Sequence, residues 1–270
     1  MIDSMTAAIR ARVPVGLCFA RQTLEPASVE MKVLSSSLDR YIDWRFFCAL
    51  DAPAPTAGSE SRAVPPDLCG IIQVSDEAAA FSRDAEVPRP RLWRWLPIES
   101  FERLRDEASR ESFFLRVLTV YRWRRLLARG LSVTSLQRFY AGHKYLVMSR
   151  DIAVYRRLGA LLARTTRRDL AGAADEMIGL MLLAFTRPES RAGASNALLH
   201  IRGYLKRSLN ATEQWELNDR IERYRLGEIA LSEPMHVLRR HFRAHPDAYI
   251  AQQVFLQPDR WAAFFDADEL

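Results

Sequence analysis

Cysteine and long apolar runs are both scarce in this chain of 270 residues. Its three cysteines are odd in number and far apart, which excludes the disulfide framework of a small secreted protein and favours a reducing compartment. No run approaches the ~18–20 uncharged apolar residues that a membrane-spanning helix needs. The segment from Met1 to Arg12 also lacks the apolar centre of a signal peptide. The sequence therefore predicts a cytoplasmic protein with no membrane partner.

The short motifs of several enzyme classes are absent as well. There is no Gly-rich phosphate loop, no nucleophile elbow and no paired-cysteine motif. His241 and His245 have the i, i+4 spacing of a shared metal site, with Asp247 nearby, but Pro246 follows directly and the Glu of a zincin motif is missing. We expect these histidines to make hydrogen bonds or to contact nucleic acid rather than to hold a metal.

Lysine is the third scarcity, with 3 Lys against 36 Arg. A GC-rich genome produces such a ratio, although Arg is also the better residue for bidentate phosphate contact and for stacking on bases. Residues 101–210 hold 21 Lys+Arg against 9 Asp+Glu, while both flanks are slightly acidic. Clustered cations favour a polyanionic partner, because binding releases condensed counterions. The charge pattern therefore predicts a protein that binds nucleic acid.

The first hundred residues have the pattern of a small α/β unit. Three short apolar runs have the length and composition of strands: Val13–Phe19, Trp44–Leu50 and Leu68–Val74. Residues 28–43 have helical spacing, and the polar, Pro-containing stretches 51–66 and 82–90 are predicted loops.

From Ile98 onward the apolar spacing is helical. Capping residues, Gly and Pro divide this part into predicted helices at 98–129, 133–149, 152–165, 170–186, 189–209, 212–226, 232–244 and 246–257. Seven or eight helices with short connections form an all-α bundle. The predicted fold is α+β overall: a small N-terminal α/β domain at 1–97, followed by a mainly α-helical bundle domain at 98–270.

One face of the predicted helix 189–209 carries Asn196, His200, Gly203, Tyr204 and Arg207 at i, i+3/i+4 spacing. A glycine inside a helix costs about 1 kcal/mol relative to Ala, so Gly203 predicts the close approach of another backbone or of a ligand. Two interpretations stay open: a binding face, or helix packing around a buried Asn–His hydrogen bond.

Basic residues interleaved with aromatic ones extend this pattern to neighbouring helices. Bases stack on Tyr, His and Arg, whereas phosphates bind Arg and Lys. For any single Arg, a solvated helix face is the alternative. The predicted nucleic-acid contacts are His143, Lys144, Tyr155, Arg156, Arg157, Asn196, His200, Arg202, Tyr204, Lys206, Arg207, Arg225, Arg239, Arg240, His241 and Gln252.

Five segments in the second half of the chain resemble, in order and spacing over about residues 143–258, the YbgA-type domain of unknown function. They are His143-Lys144-Tyr-Leu-Val-Met148, Tyr155-Arg-Arg-Leu-Gly159, Asn196-Ala-Leu-Leu-His200 with Gly203-Tyr204-Leu-Lys206, Ile221-Glu-Arg-Tyr-Arg-Leu-Gly227, and Tyr249-Ile-Ala-Gln-Gln253-Val-Phe-Leu-Gln-Pro258. That domain commonly follows a TudS-like thiouracil/thiouridine desulfidase domain. The resemblance implies an RNA-facing helical domain, with tRNA as its partner.

The first hundred residues resemble a degenerate copy of that desulfidase domain, in Val15-Gly16, Trp44-Arg-Phe-Phe-Cys48 and Gly70-Ile-Ile-Gln-Val-Ser75. The departures concern the thiolates that hold its iron–sulfur cluster. The first cysteine of the family would fall nearer Ala20 than Cys18, Cys48-Ala49-Leu50 replaces Cys-Pro-Glu, and 76–81 replace the third cysteine loop. Losing one thiolate of three should abolish or cripple cluster binding.

We therefore expect an RNA-binding protein, with tRNA as the RNA, whose sulfur-removing domain is inactive and holds no cofactor. The first alternative is an active iron–sulfur-dependent tRNA thiouridine desulfidase that uses Cys18, Cys48 and Cys69 as metal ligands. The second is a protein-interaction module. The simplest interpretation of the three thiols is that they fill a small core.

Overall fold

The computed structural model describes residues 12–19, 42–48, 67–73 and 95–257. Residues 28–41 of the first predicted helix and the predicted loops 51–66 and 82–90 lie outside these ranges. The described residues fall into two compact units, one extending through Arg125 and the other beginning at Leu126. The boundary predicted at 97–98 lies inside the first unit.

The first unit contains a four-stranded, all-parallel sheet. Its strands are β1 Val13–Phe19, β2 Ile42–Cys48, β3 Gly70–Gln73 and β4 Ile98–Ser100. Their order is β2-β1-β3-β4, and Val15 of β1 lies between Trp44 and Gly70 in the register. The predicted strand at Val13–Phe19 is confirmed to the residue, and the next two are shifted or shortened by a few residues.

Helix α1, Glu107–Ala128, follows the sheet, and its first-unit residues pack on β3. A Cβ on Gly70 would lie 2.5 Å from Val117 Cγ2 and 3.2 Å from Phe113 Cζ, so only glycine permits this approach. Beside this contact, buried Arg116 donates from Nη2 to Glu99 Oε2 at 3.4 Å. This ion pair links α1 to β4, and the guanidinium of Arg116 balances the charge of the buried Glu99 carboxylate.

The prediction of one long helix beginning at Ile98 is wrong in its first turns. Ile98–Ser100 is β4, a 3-10 turn covers Glu102–Arg105, and α1 begins only at Glu107. Backbone bonds to β3 decide the outcome: Ile71 N–H donates to Pro97 O at 2.9 Å and Phe101 N–H to Gln73 O at 2.8 Å. These hydrogen bonds join segments about 25 residues apart in the sequence. The local spacing of apolar residues cannot reveal such a distant pairing.

The second unit is helical. Its helices are α2 Val133–Arg150, α3 Ile152–Arg164, α4 Leu170–Ala184, α5 Arg191–Arg202, α6 Ala211–Leu226 and α7 Ser232–Ala244. Asn210 and Glu213 form the predicted capping box, and Gly130 and Gly227 end their helices at positive φ. Across the part of the chain that the structure describes, no helix combines the length and apolarity needed to cross a membrane. The α+β class is confirmed.

Two predicted helices are shorter than expected. Helix α5 ends at Arg202 and continues as a 3-10 turn at Gly203–Leu205. The predicted last helix is replaced by two 3-10 turns, Ile250–Gln252 and Val254–Leu256. Side chains anchor this segment to α2 instead, because the carbonyl of Ala141 accepts hydrogen bonds from the Tyr249 hydroxyl at 3.4 Å and the Gln253 amide at 3.0 Å.

Helices α2 and α5 cross closely where Gly193 meets the end of α2. A Cβ on Gly193 would lie 2.5 Å from Ser149 O and 2.9 Å from Met148 O. Ser190, the N-cap of α5, donates its N–H to Ser149 O at 3.1 Å and accepts from Gly193 N–H. The absence of a side chain at Gly193 thus fixes how near these two helices lie.

The cysteines occupy both ends of the sheet. Cys18 and Cys48 lie near the carboxyl ends of β1 and β2, paired in the register with Phe47 and Phe19. Cys69 precedes β3, and its N–H donates to Pro14 O at 2.8 Å. Pro14 and Cys18 are about 13 Å apart along β1, at ~3.3 Å per residue. The backbone therefore does not bring Cys69 to the end of the sheet that carries the other two.

The thiol of Cys69 should be unreactive in the folded chain. Burial raises its pKa to about 12, against a smaller opposing effect of Arg124, and the Sγ–H donates to Asp67 O at 3.6 Å. The reactive thiolate is then almost absent near pH 8. We expect iodoacetamide to label Cys69 only after urea unfolds the protein. Mass spectrometry of the peptide that contains Cys69 measures the labelling. Rapid labelling of this peptide in native buffer would contradict the burial.

Gly193→Ala should destabilise the protein by about 1–3 kcal/mol, because its Cβ overlaps the backbone of α2. The matched control is Gly159→Ala within α3, where an added Cβ meets nothing within 4 Å. That substitution should stabilise by about 0.5–1 kcal/mol through helix propensity. Urea unfolding followed by circular dichroism measures both. Equal effects of the two variants would refute the close crossing.

Candidate nucleic-acid interface

Tyrosines from four separate segments of the second unit meet in one place. Five of the eight tyrosines of the chain form this group, which we call the tyrosine cluster: Tyr140, Tyr145, Tyr155, Tyr204 and Tyr249. Helix α2 supplies two of them, and α3, the turn after α5 and the segment before the first C-terminal 3-10 turn supply one each. Residues more than a hundred positions apart in the sequence are therefore neighbours.

Tyr204 and Tyr249 are stacked at the exposed edge of the tyrosine cluster. Their ring centroids lie 5.6 Å apart with an interplanar angle of 19°. Tyr204 remains 43% exposed, whereas its neighbour Tyr145 is 2% exposed. Aromatic pairs in this offset arrangement are favourable beyond the area they bury.

The inner tyrosines of the cluster are held in their neutral form. Burial, followed by the hydrogen bond to Tyr204, raises the pKa of Tyr145 well above its usual value of about 10. Burial likewise raises the pKa of Tyr140, whose hydroxyl donates to Tyr155 O at 3.0 Å. Tyr140 and Tyr145 are thus neutral aromatic groups at physiological pH, suited to packing and not to proton transfer.

Lys144 supplies a positive charge to the cluster. Its Nζ lies 4.7 Å from the ring centroid of Tyr145 and 4.9 Å from that of Tyr249, both within the range of cation–π attraction. The nearby carboxylate of Asp247 accepts hydrogen bonds from the N–H groups of Tyr249 and Ile250 at 2.9 Å each. Backbone N–H groups therefore stabilise the negative charge of Asp247.

The predicted face of α5 partly joins the cluster. His200 is exposed, and its ring centroid lies 6.4 Å from that of Tyr145. Asn196 is half-buried one turn earlier, and the two residues do not form the Asn–His hydrogen bond of the packing interpretation within the described ranges. An added Cβ on Gly203 meets nothing within 4 Å, so the close backbone approach predicted there is not found. Gly193 is the residue of α5 that makes one.

Three predicted cations are exposed and form no ion pair with any described residue: Arg156, Lys206 and Arg207. Arg156 follows Tyr155 directly, and Lys206 and Arg207 follow Tyr204 within three residues. They border the tyrosine cluster in sequence. Their charges are not neutralised by nearby carboxylates of the described chain.

Other predicted cations have partners on the protein. Arg157 lies 2.7 Å from Glu176, Arg225 lies 2.6 Å from Glu222 and Arg240 lies 3.0 Å from Glu216. Arg202 donates to the side chain of Asn218, and Arg239 Nε donates to Leu256 O at 3.2 Å. Gln252 is exposed and bonds Ala248 O at 3.0 Å.

The basic stretch at 101–210 is divided between the two units at residues 125–126. The cations before this point therefore belong to the unit that contains the sheet. Only those that follow belong to the helical unit and to the surroundings of the tyrosine cluster.

Two predicted histidines are buried. His143 is 4% exposed, stacks on Phe139 at 4.5 Å and has its Nδ1 2.8 Å from Phe139 O. His241 is 5% exposed on α7. Burial removes both rings from the surface, so neither shares the exposed position of His200. Among the described residues no group of three His, Cys, Asp or Glu side chains is placed to hold a metal.

The set of predicted nucleic-acid contacts did not include Tyr140, Tyr145 and Tyr249. For Tyr145 and Tyr249 the available signal was the recurrence of tyrosine in the segments that resemble the YbgA-type domain, whereas Tyr140 lies just before the first of them. Each tyrosine taken alone has the pattern of a core residue, and only their convergence from α2, α3, the α5 turn and the C-terminal segment reveals a site.

His241 should make stability depend on pH. Burial, followed by the charge of Arg240, lowers its pKa below about 6.5, and Glu213 and Glu216 oppose this only in part. The unfolded chain therefore binds a proton that the folded chain does not, so stability falls as the pH is lowered through about 6.5. We expect His241→Gln to flatten the fall in unfolding free energy between about pH 7.5 and 5.5.

The matched control for this pH experiment is His236→Gln, at an exposed position of the same helix. It should retain the wild-type pH profile in urea titrations. If His241→Gln and the wild type have parallel profiles, the proposed origin of the pH dependence is wrong.

Comparisons with known proteins concern the helical half of the chain. Residues 144–259 match a family model described as a protein of unknown function, DUF1722. The chain is also 23% identical over 148 residues to the uncharacterized protein YbgA of Escherichia coli (strain K12), an alignment that covers 54% of this chain and 88% of that protein. No solved structure matches the chain. The two matches confirm the predicted YbgA-type domain of unknown function in the C-terminal half.

Proposed function

We propose that the helical unit is an RNA-binding module, with tRNA as the RNA. The observation that carries the proposal is the set of exposed cations without ion pairs in the described ranges, Arg156, Lys206 and Arg207, which lie within three residues of cluster tyrosines in the chain. Phosphates attract such cations, and releasing the counterions condensed on RNA supplies the free energy. Aromatic rings beside the cations offer surfaces on which bases stack.

The ion pairs indicate which cations of this proposed interface should contribute most to phosphate binding. Arg157, Arg225 and Arg240 each lie beside a carboxylate, so a phosphate has to compete with that carboxylate for the guanidinium. Exposed ion pairs are worth at most about 1 kcal/mol, so competition weakens these contacts without preventing them. The largest contributions should come from Arg156, Lys206 and Arg207.

We also infer that the sheet-containing unit is a degenerate desulfidase-like domain without a cluster. An all-parallel sheet agrees with the α/β unit that the resemblance implied. The position of Cys69 before β3, away from the carboxyl ends of β1 and β2, supports the loss of a three-thiolate site. An anaerobic preparation that contains iron and removes sulfur from 4-thiouridine in tRNA would overturn this inference.

The RNA-binding proposal predicts a specific change in salt dependence. Lys206→Ala with Arg207→Ala should weaken tRNA binding and should lower the slope of log K against log salt by about 1.5–2, because each lost phosphate contact removes about one unit. Filter-binding titrations across a range of salt concentrations measure the slope.

The charge-matched control is Arg220→Ala with Arg223→Ala on α6, where both residues are ion-paired with glutamates. This variant loses the same net charge and should keep nearly the wild-type slope. An equal loss in both variants would mean that net charge alone drives binding, and no binding to tRNA at low salt would overturn the proposal.

A further inference from the structure

We infer that Tyr204, supported by Tyr249, is a stacking platform for an unpaired nucleobase. The inference rests on the proposed RNA binding and narrows its ligand to single-stranded or looped RNA. Tyr204 is 43% exposed, although it belongs to a group of aromatic residues that are otherwise largely buried. A tyrosine that served only the core would be covered like Tyr145, which is 2% exposed.

The ring of Tyr204 is fixed from two directions. Tyr249 lies against one side of it, 5.6 Å away and within 19° of parallel. The side chain of buried Tyr145 lies next to it on the interior side of the cluster. A ring immobilised before binding loses little conformational entropy when a base stacks on it, and such preorganisation strengthens binding.

Tyr249 is itself held in place. Its hydroxyl donates to Ala141 O at 3.4 Å, and its backbone N–H donates to the Asp247 carboxylate at 2.9 Å. Lys144 lies over it, with Nζ 4.9 Å from the ring centroid. The support of Tyr204 is therefore anchored to α2 by both a hydrogen bond and a cation–π contact.

Charge around the platform favours a nucleotide over an apolar partner surface. Lys206 and Arg207 follow Tyr204 within three residues in the chain and are exposed without ion pairs in the described ranges. Lys144 adds a third positive charge, over the rings of Tyr145 and Tyr249. A nucleotide combines a flat π-face with an adjacent phosphate and so matches both features, whereas an apolar protein surface would leave the cations without partners.

The platform also favours unpaired over paired bases. Bases in a duplex are already stacked on their neighbours, and the deep major groove of A-form RNA excludes side chains. A single exposed ring on a helical surface therefore reaches only a base that is free to leave the stack. Loops and single-stranded ends offer such bases.

The test uses the full chain and a short single-stranded RNA that carries 2-aminopurine, whose fluorescence falls when it stacks on an aromatic ring. We expect quenching by the wild type and by Tyr204→Phe, which keeps the ring. Tyr204→Leu should lose the quenching and bind the single strand about tenfold more weakly. Annealing the RNA to its complement should reduce binding to the wild type.

Trp215→Leu is the matched control, because Trp215 is the most exposed large aromatic residue in the described part of the chain, at 68%, and has no ring contact with the cluster. It should quench like the wild type. Far-UV circular dichroism verifies that each variant is folded, and Tyr204→Phe separates loss of the hydroxyl from loss of the ring.

The outcomes separate the two proposals. Salt-dependent binding of tRNA and of the single strand without quenching, or with quenching that Tyr204→Leu leaves intact, overturns the platform and leaves RNA binding standing. Quenching that Trp215→Leu abolishes also overturns it. No binding of either RNA overturns both proposals and favours the protein-interaction alternative.

Discussion

The close crossing of α2 and α5 at Gly193 is the constraint on which the rest of the helical unit depends. Because Gly193 has no side chain, the backbone of α5 reaches Ser149 O at the end of α2. The two helices run in opposite directions from this point, so later residues of α5 meet earlier residues of α2. Tyr145 therefore faces His200 and Tyr204, and the tyrosine cluster is a geometric consequence of the crossing.

The segment after α7 supplies the last member of the tyrosine cluster, Tyr249. It does not form a regular helix, because Tyr249 and Gln253 bond the carbonyl of Ala141 on α2. That anchorage brings Tyr249 against Tyr204 and beneath Lys144. The segments around Lys144 and Tyr249, at the two ends of the helical domain, are thus parts of one surface.

Positive charge has a less uniform role than its concentration in the sequence indicates. Several of the cations form ion pairs within the protein. Arg157, Arg225 and Arg240 pair with carboxylates, and buried Arg116 pairs with Glu99. Arg156, Lys206 and Arg207 have no such partners among the described residues and lie within three residues of Tyr155 or Tyr204 in the chain. The net charge includes ion-paired and unpaired cations equally. Only the cations without ion pairs can bind a polyanion without competition from a carboxylate.

Most of the helical framework was predictable from the sequence, since capping boxes, terminal glycines and apolar spacing act within a few residues. Asn210 with Glu213, Gly227 and the limits of α7 follow from these local rules. The failures at Ile98 and after Pro246 both come from contacts with distant segments, namely β3 and α2. The tertiary structure alone decided which tyrosines converge and where Cys69 lies relative to Cys18, because both depend on segments tens of residues apart. It also decided that Arg157 and Arg240 are neutralised, since their partners Glu176 and Glu216 lie on other helices. The sequence alone determined the helices and their charge; the packing of those helices determined the surface.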